Sequence, residues 1–323
     1  MLTVYDSARG TLLRRENASV DTEAVWIDLL NPTKEEDLQV ERALGLSVPT
    51  REEMAEIEAS SRLYHESGAH YMTAVVLHQR DSEPSVATPV TFIIAGNRLV
   101  TVRYEEPRAF KMFLGRAQKS DTACGSGVAV MVGLLEAIID READRVERIQ
   151  GDVDKLSQNI FETKDDRTRT RTRRFDVTIK LIGREGELTS RSRESLLSLH
   201  RLLTYLAHAM SERGDDKALR ARVKTADRDV QSLADHIGYL STKITFLLDA
   251  TLGMINNEQN KIIKIFSVLA VALMPPTLVG TIYGMNFRHI PELEWIWGYP
   301  FALALMVFSA VLPWWFFKRQ GWL

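Results

Sequence analysis

Two uninterrupted apolar runs close the chain, and they constrain its fold more than any other feature. Ile265 to Tyr283 is 19 residues without a charge, and Tyr299 to Phe317 is a second run of 19. Each matches the roughly 20 residues a helix needs to cross about 30 Å of hydrocarbon. A short loop, residues 284–298, joins them, and six residues follow the second run. The chain therefore reads as a large soluble body ending in a helical membrane hairpin.

Charge gives the hairpin an orientation. Lys261 and Lys264 precede the first run, and Lys318 and Arg319 follow the second. The loop sets Arg288 and His289 against Glu292 and Glu294. Basic residues thus flank both outer ends, which the positive-inside rule places in the cytoplasm, with both termini, leaving the loop outside. Trp295, Trp297, Tyr299, Trp314 and Trp315 suit the two interfacial belts. Over the whole chain 41 basic side chains face 43 acidic ones. So even a balance excludes the strong positive field of a nucleic-acid binder. The single cysteine, Cys124, forms no internal disulfide, in keeping with a cytosolic body, and reads as a small buried or loop residue. No basic-then-apolar leader pattern opens residues 1–10.

The soluble body divides into two parts. Residues 1–125 read as an α/β domain, with strands at Leu2–Tyr5, Val25–Leu29, Tyr71–Leu77, Val90–Ile94 and Leu99–Arg103. Gly96-Asn97 supplies a tight turn between the last two. Thr33-x-x-Glu36 and Thr50-x-x-Glu53, each after a proline, are capping boxes that start two helices. Residues 126–260 read as long helices, Val128–Phe161, Phe175–Ser211 and Asp215–Tyr283, the last running into the hairpin of residues 261–323, whose spans lie at about 262–283 and 299–317. In that helix Leu219, Val223, Ala226, Val230, Leu233, Ile237, Leu240, Ile244 and Leu247 follow a strict 4-3 spacing. Such a seam serves either packing against the chain's own preceding helices or a parallel coiled-coil bundle of identical subunits around an axis.

Gly284-Met285-Asn286 stands at the outer end of the first span. With it go Glu258-Gln259-Asn260, Met274-Pro275-Pro276-Thr277, Ile290-Pro291-Glu292-Leu293, Trp297-Gly298-Tyr299-Pro300 and the terminal stretch from Phe317 to Leu323. Near the N-terminus stand Val25-Trp26-Ile27-Asp28-Leu29 and Glu56-Ile57-Glu58-Ala59-Ser60. In these segments the sequence resembles the CorA family of magnesium and cobalt transporters, most specifically over its last 66 residues. The resemblance implies a homo-pentameric funnel in a bacterial inner membrane: a cytoplasmic α/β domain, a long stalk helix and two transmembrane helices. It implies passive uptake of hydrated Mg2+, with Co2+ and Ni2+ as further substrates, and closure when intracellular Mg2+ binds between neighbouring cytoplasmic domains. The partners are then divalent ions, the lipid bilayer and other copies of the chain.

The chemistry suits that reading. Mg2+ holds its water shell tightly, so a pore recognises it best through neutral oxygen acceptors facing the water protons. The amide oxygen of Asn286 and the carbonyls of Gly284 and Met285 are such acceptors, and Gly284 is expected to permit a backbone turn that other residues resist. One helical face leads inward from the loop through Thr281, Thr277, Met274, Ala270, Phe266, Ile263 and Asn260 at steps of three and four. The resemblance places these on the pore axis, Thr277 as a hydroxyl ring, Met274, Phe266 and Ile263 as apolar constrictions, and Asn260 as a polar ring at the cytoplasmic mouth. Pro275-Pro276 leaves helix carbonyls near Val271 and Ala272 without partners and is expected to bend the helix. No Gly-rich phosphate loop, His-Glu-x-x-His or Ser/His/Asp arrangement suggests an enzyme or an organic cofactor.

Asp81, Glu83, Asp227 and Asp229 are the acidic candidates for a regulatory metal site, set against the alternative of solvated surface acids. Arg167, Arg169, Arg171, Arg173 and Arg174 depart from the family's usual acidity at this point and read as a solvated loop or an anionic-lipid contact. Two other functions are weighed. A zinc transporter of the same superfamily often replaces the loop methionine, which this chain keeps. A non-conducting, membrane-anchored coiled-coil scaffold explains hairpin and heptads but gives Asn286 no role.

Overall fold

The computed structural model describes residues 1–321 apart from 9, 16–19, 21–23, 79–84, 120–123, 162–167, 287–290 and 292–294, with backbone alone at 59 and 168–174. The described residues form two compact units, residues 1–165 with 177–247, and residues 166–176 with 248–323.

In the first unit seven strands form one mixed sheet, β1 (Leu2–Ala8), β2 (Thr11–Arg14), β3 (Trp26–Leu30), β4 (Leu63–Glu66), β5 (Ala69–His78), β6 (Val86–Ala95) and β7 (Arg98–Arg103), in the order β2-β1-β3-β7-β6-β5-β4. Only β3 and β7 run parallel; the other neighbours are antiparallel. The β6–β7 register pairs Ala95 with Arg98, so Gly96-Asn97 is the whole turn. Gly96 has φ 59 and Asn97 a negative φ, the type II′ pattern that matches strand twist. Strands β2 and β4 and the short helices α3 (Ala59–Arg62) and α4 (Arg108–Ala117) add to the sequence reading. Helices α1 (Lys34–Leu44) and α2 (Arg51–Ala55) open with both expected capping boxes: the Thr33 and Thr50 hydroxyls accept from the Glu36 and Glu53 amides, and each glutamate accepts from its threonine's amide.

Alternation along β3 divides the core. Ile27 and Leu29 pack with Val40 of α1 and Met54 of α2. Trp26 stacks on Tyr5 and meets Phe110 and Phe113 of α4. Asp28 is buried, and it accepts from Thr101 Oγ1 at 2.7 Å and pairs with Arg103 at 2.7 Å. Arg103 lies 4.5 Å over the Phe110 ring, so the buried charge is both paired and packed. β4 pairs with only Ala69–Met72, leaving the outer edge of β5 free beyond. Helix α6 closes it: the Ser198 hydroxyl accepts from the Val75 amide and the Ser195 hydroxyl donates to the Val75 carbonyl, each at 2.8 Å.

Three long helices follow, α5 (Gly127–Phe161), α6 (Thr168–Arg213) and α7 (Lys217–Tyr283), of which α5, α6 from Val177 and α7 as far as Leu247 belong to this unit. α5 begins against the β6–β7 turn, where the Gly127 amide donates to the Asn97 carbonyl at 2.7 Å and a Cβ would lie 2.3 Å from the Arg98 carbonyl carbon. Cys124, just before it, is buried. Gly214, with φ 74, follows the end of α6.

The heptad seam of α7 is buried inside one chain. Val223, Ala226, Val230, Ile237, Leu240, Ile244 and Leu247 are buried, and Leu219 and Leu233 half-buried. Arg222 pairs with Glu136 of α5 at 2.7 Å, His236 Nε2 meets Gln150 Oε1 of α5 at 2.9 Å, and Lys243 pairs with Asp154 of α5. Gly186 of α6 leaves room for Ile244. Of the two readings of the seam, packing against the chain's own helices is the one observed; a bundle around an axis would need the seam uncovered. Intramolecular and intermolecular three-to-four packing have the same spacing, so the pattern alone does not separate them.

Truncating the seam should therefore destabilise the chain's own fold. Leu240→Ala, at a fully buried position, is expected to cost about 2–5 kcal/mol, and Lys224→Ala, at an exposed position of the same helix, under about 1 kcal/mol. Chemical denaturation of the full chain in detergent would test this; equal effects would mean that the seam is not an internal one.

Candidate functional site: the exposed face of the first apolar helix

The second unit contains the end of α7 and α8 (Gly298–Arg319). Both are long and apolar enough to cross a membrane, and only 6 % of the most apolar stretch of each is buried, unlike the core helices of a soluble protein. α7 continues unbroken through Pro275 and Pro276 to Tyr283. Those prolines have no N–H to offer the Val271 and Ala272 carbonyls, which keep their acceptor capacity.

All seven residues of the expected inner face are exposed: Asn260, Ile263, Phe266, Ala270, Met274, Thr277 and Thr281. The buried side of this stretch is Val268, and the buried side of α8 is Ala302. Thr277 Oγ1 donates to the Leu273 carbonyl at 2.7 Å, and Thr281 Oγ1 to the Thr277 carbonyl at 2.8 Å. With their hydrogens engaged inside the helix, both hydroxyl oxygens are left as acceptors.

The helix ends in a tightened turn, the Gly284 amide donating to the Gly280 carbonyl at 3.0 Å and the Met285 amide to the Ile282 carbonyl at 3.2 Å. Gly284 is not among the residues with positive φ. Its lack of a Cβ matters instead, since one would stand 3.1 Å from the Gly280 carbonyl oxygen. Asn286 is exposed and has no hydrogen-bond partner among the described residues.

Gly280 was missed by the sequence reading. An added Cβ there would touch the Met306 Cε of α8 at 3.4 Å. Gly280 and Gly284 form a G-x-x-x-G pair, the spacing that lets membrane helices approach, and that pattern could have revealed it. At the other end of the hairpin the basic residues sit by aromatic ones: Lys318 lies 4.9 Å over the Trp314 ring and Arg319 5.6 Å over Trp315, while Lys261 is 3.8 Å from Glu258. This mix of ring and charge suits a membrane–water boundary.

The acidic candidates separate. Asp81 and Glu83 lie outside the described residues, as do Arg167 and the side chains of the neighbouring arginines. Asp227 is held at the α6–α7 contact, 2.7 Å from His200 Nδ1 and 3.0 Å from Gln231 Nε2. Asp229, two residues on, points instead to a groove of about 280 Å³ with Glu136, Asp140, Arg222 and Thr225. There the Glu136 carboxylate raises the pKa of Arg222 by hydrogen bonding. The two aspartates do not meet, and among the described residues no three acidic, histidine or cysteine side chains are placed to hold a metal.

The model of the family described as CorA-like Mg2+ transporter protein matches residues 21–319. The chain belongs to that family. The magnesium transport protein CorA of Salmonella typhimurium is 34 % identical to it over 326 aligned positions, the full length of both. Among solved structures, the complete CorA magnesium transporter of Methanocaldococcus jannaschii superposes with a TM-score of 0.71, covering 100 % of this chain and 99 % of that one at 17 % identity. The cytoplasmic domain of ZntB from Vibrio parahaemolyticus superposes with a TM-score of 0.58 over 79 % of this chain and 98 % of that one, at 8 % identity. At those identities the two structures establish the shared fold and no more.

A bulky residue at Gly280 should separate the two apolar helices. Gly280→Leu is expected to destabilise the hairpin by about 1–3 kcal/mol through overpacking, read as a lower melting temperature in detergent than for Leu278→Ala at an exposed site. An unchanged melting temperature would mean that the Met306 contact does not hold the pair together.

Proposed function

We propose that the chain is a passive magnesium channel of the bacterial cytoplasmic membrane, assembled as a homo-oligomer with both termini in the cytoplasm. The observation that carries this reading is the exposed face of α7 from Asn260 to Thr281, which leads to Gly284-Met285-Asn286 in a chain of this family. A face exposed on one chain becomes a lined conduit when several copies gather round an axis. The pentamer implied by the family resemblance would ring seven side chains at successive depths, with Asn286 amides at the outer mouth. Neutral oxygens suit an ion that keeps its water shell, since they accept from the water protons without holding the charge. Rings of Met274, Phe266 and Ile263 suit closure by dewetting. The membrane potential supplies the drive, about 2.3 kcal/mol per charge per 100 mV and twice that for a divalent ion.

Since the buried heptads of α7 serve its own chain, assembly falls to another face. Ser232, Asp235, Tyr239, Thr242 and Phe246 repeat at steps of three and four and are all exposed, and Tyr239 and Phe246 are large enough to anchor a contact between copies. Co2+ and Ni2+, close to Mg2+ in charge and hydrated size, are further candidate substrates. Zinc transport is the second reading; retention of Met285 and the low identity to ZntB favour magnesium. A non-conducting scaffold leaves Asn286 unexplained.

Asn286→Ala should abolish Mg2+ uptake into proteoliposomes carrying a fluorescent magnesium reporter, while the assembled mass in detergent stays the same. Uptake at the wild-type rate would remove the loop amide from the mechanism, and zinc outcompeting magnesium in the same assay would favour the second reading.

Intracellular Mg2+ is proposed to close the channel by bridging carboxylates of neighbouring cytoplasmic domains, an effect limited by its differential affinity for the closed state. Asp81, Glu83 and Asp229 are the acids offered, and Asp227, already held by His200, is expected to contribute least. Millimolar Mg2+ should slow proteolysis of the full-length protein. Asn or Gln at the first three positions should weaken that protection, and Asp227→Asn alone should not. Protection untouched by the triple change would place the feedback site elsewhere.

A further inference from the structure

A cleft of about 960 Å³ opens between α5 and α6, floored at one end by Ser85. It belongs wholly to the first unit and has no part in the transport reading. Its volume falls in the range of small-molecule sites, about 300–1,000 Å³. Five basic side chains line it, Arg145, Arg148 and Lys155 from α5 and Arg184 and Arg191 from α6.

The acids lining the cleft are largely answered. Asp152 is 2.9 Å from Lys155, and Glu187 is 2.7 Å from Arg191, which also donates to the Ser85 carbonyl. Arg145 is paired with the buried Glu142 behind the wall. Glu185 is 7 % exposed; burial, with Asp152 nearby, holds its carboxyl above the usual range, against the opposing pull of the Arg184 charge. Arg148 and Arg184 remain, one on each wall, both exposed and neither in an ion pair or hydrogen bond among the described residues. With no close ion pair to hold them, these two arginines, one from each helix, form a positive clamp. Leu181, exposed, and Leu188, half-buried, supply an apolar strip in the same cleft, with the buried Ile149 and Leu156 lining it beneath.

We propose that this cleft binds a soluble nucleoside polyphosphate, its phosphates held by Arg148 and Arg184 and its base laid on the apolar strip. The guanidinium group fits phosphate oxygens two at a time and also stacks on planar rings, so arginine suits both halves of such a ligand. The strip, two leucines over two buried side chains among many charged ones, is enough for one flat base and too little for a pair of acyl chains. Because the ligand would touch both walls, it would strap α5 to α6.

The full chain, in nanodiscs of zwitterionic lipid, is titrated calorimetrically with ATP, adenosine and inorganic triphosphate. ATP should bind saturably, triphosphate more weakly, and adenosine without measurable heat. Arg148→Glu with Arg184→Glu should weaken ATP binding roughly tenfold or more, the loss of at least one charge-assisted pair. Both positions are exposed, and an unchanged melting temperature of the double variant would confirm that it folds. The proposal fails if ATP gives no saturable binding at millimolar concentration, if the double variant binds ATP as the wild type does, or if triphosphate binds as tightly as ATP. It also fails if discs of anionic lipid displace ATP, which would assign the arginines to lipid head groups.

Discussion

The rotation of α7 about its own axis governs how this chain presents itself. Once Val223, Val230, Ile237, Leu240 and Leu247 are buried against α5 and α6, every other residue on that part of the helix has its direction assigned. Burial of each such side chain is worth about 1.5–3 kcal/mol, far more than the exposed polar contacts on the other faces. The ion pairs to Glu136 and Asp154 add little energy in comparison and act as register marks between two long rods. Slippage by one turn would break them together.

Much of this was legible in the sequence, for reasons particular residues make plain. The capping boxes at Thr33 and Thr50 are local chemistry, complete within four residues, and formed as read. The Gly96-Asn97 turn is local in the same way. Both apolar helices were evident because length and lack of charge are measured along the chain. Strands β2 and β4 were not evident, since each is a four-residue edge strand, too short to show a clear alternation, although each pairs with the strand next to it in sequence. The seam of α7 carried a pattern that two different partners would explain equally, and only the packing decided between them.

The residues expected on one face, Asn260 to Thr281, are exposed, but so are Leu269, Leu273 and Leu278 on the other sides of the helix, so exposure on one chain does not single that face out. At Gly284 the constraint is the nearness of the Gly280 carbonyl, a three-dimensional detail that composition does not encode. The acids fared differently again. Asp227 and Asp229 look like neighbours when written out, but two residues on a helix diverge by about 200°, so one faces α6 and the other a groove against α5.

The inward-turned hydroxyls of Thr277 and Thr281 have one more consequence. A hydroxyl is usually indifferent to the sign of what approaches, donating to an anion as readily as it accepts from a hydrated cation. With the hydrogen committed to the preceding helical turn, that symmetry is lost. On the proposed inner face these two residues offer lone pairs alone. Chloride meeting such a wall would leave its hydration shell and find no replacement for it. Rejection of anions can thus be written into helix geometry, with no carboxylate lining this stretch and no fixed charge to bind a divalent ion too long.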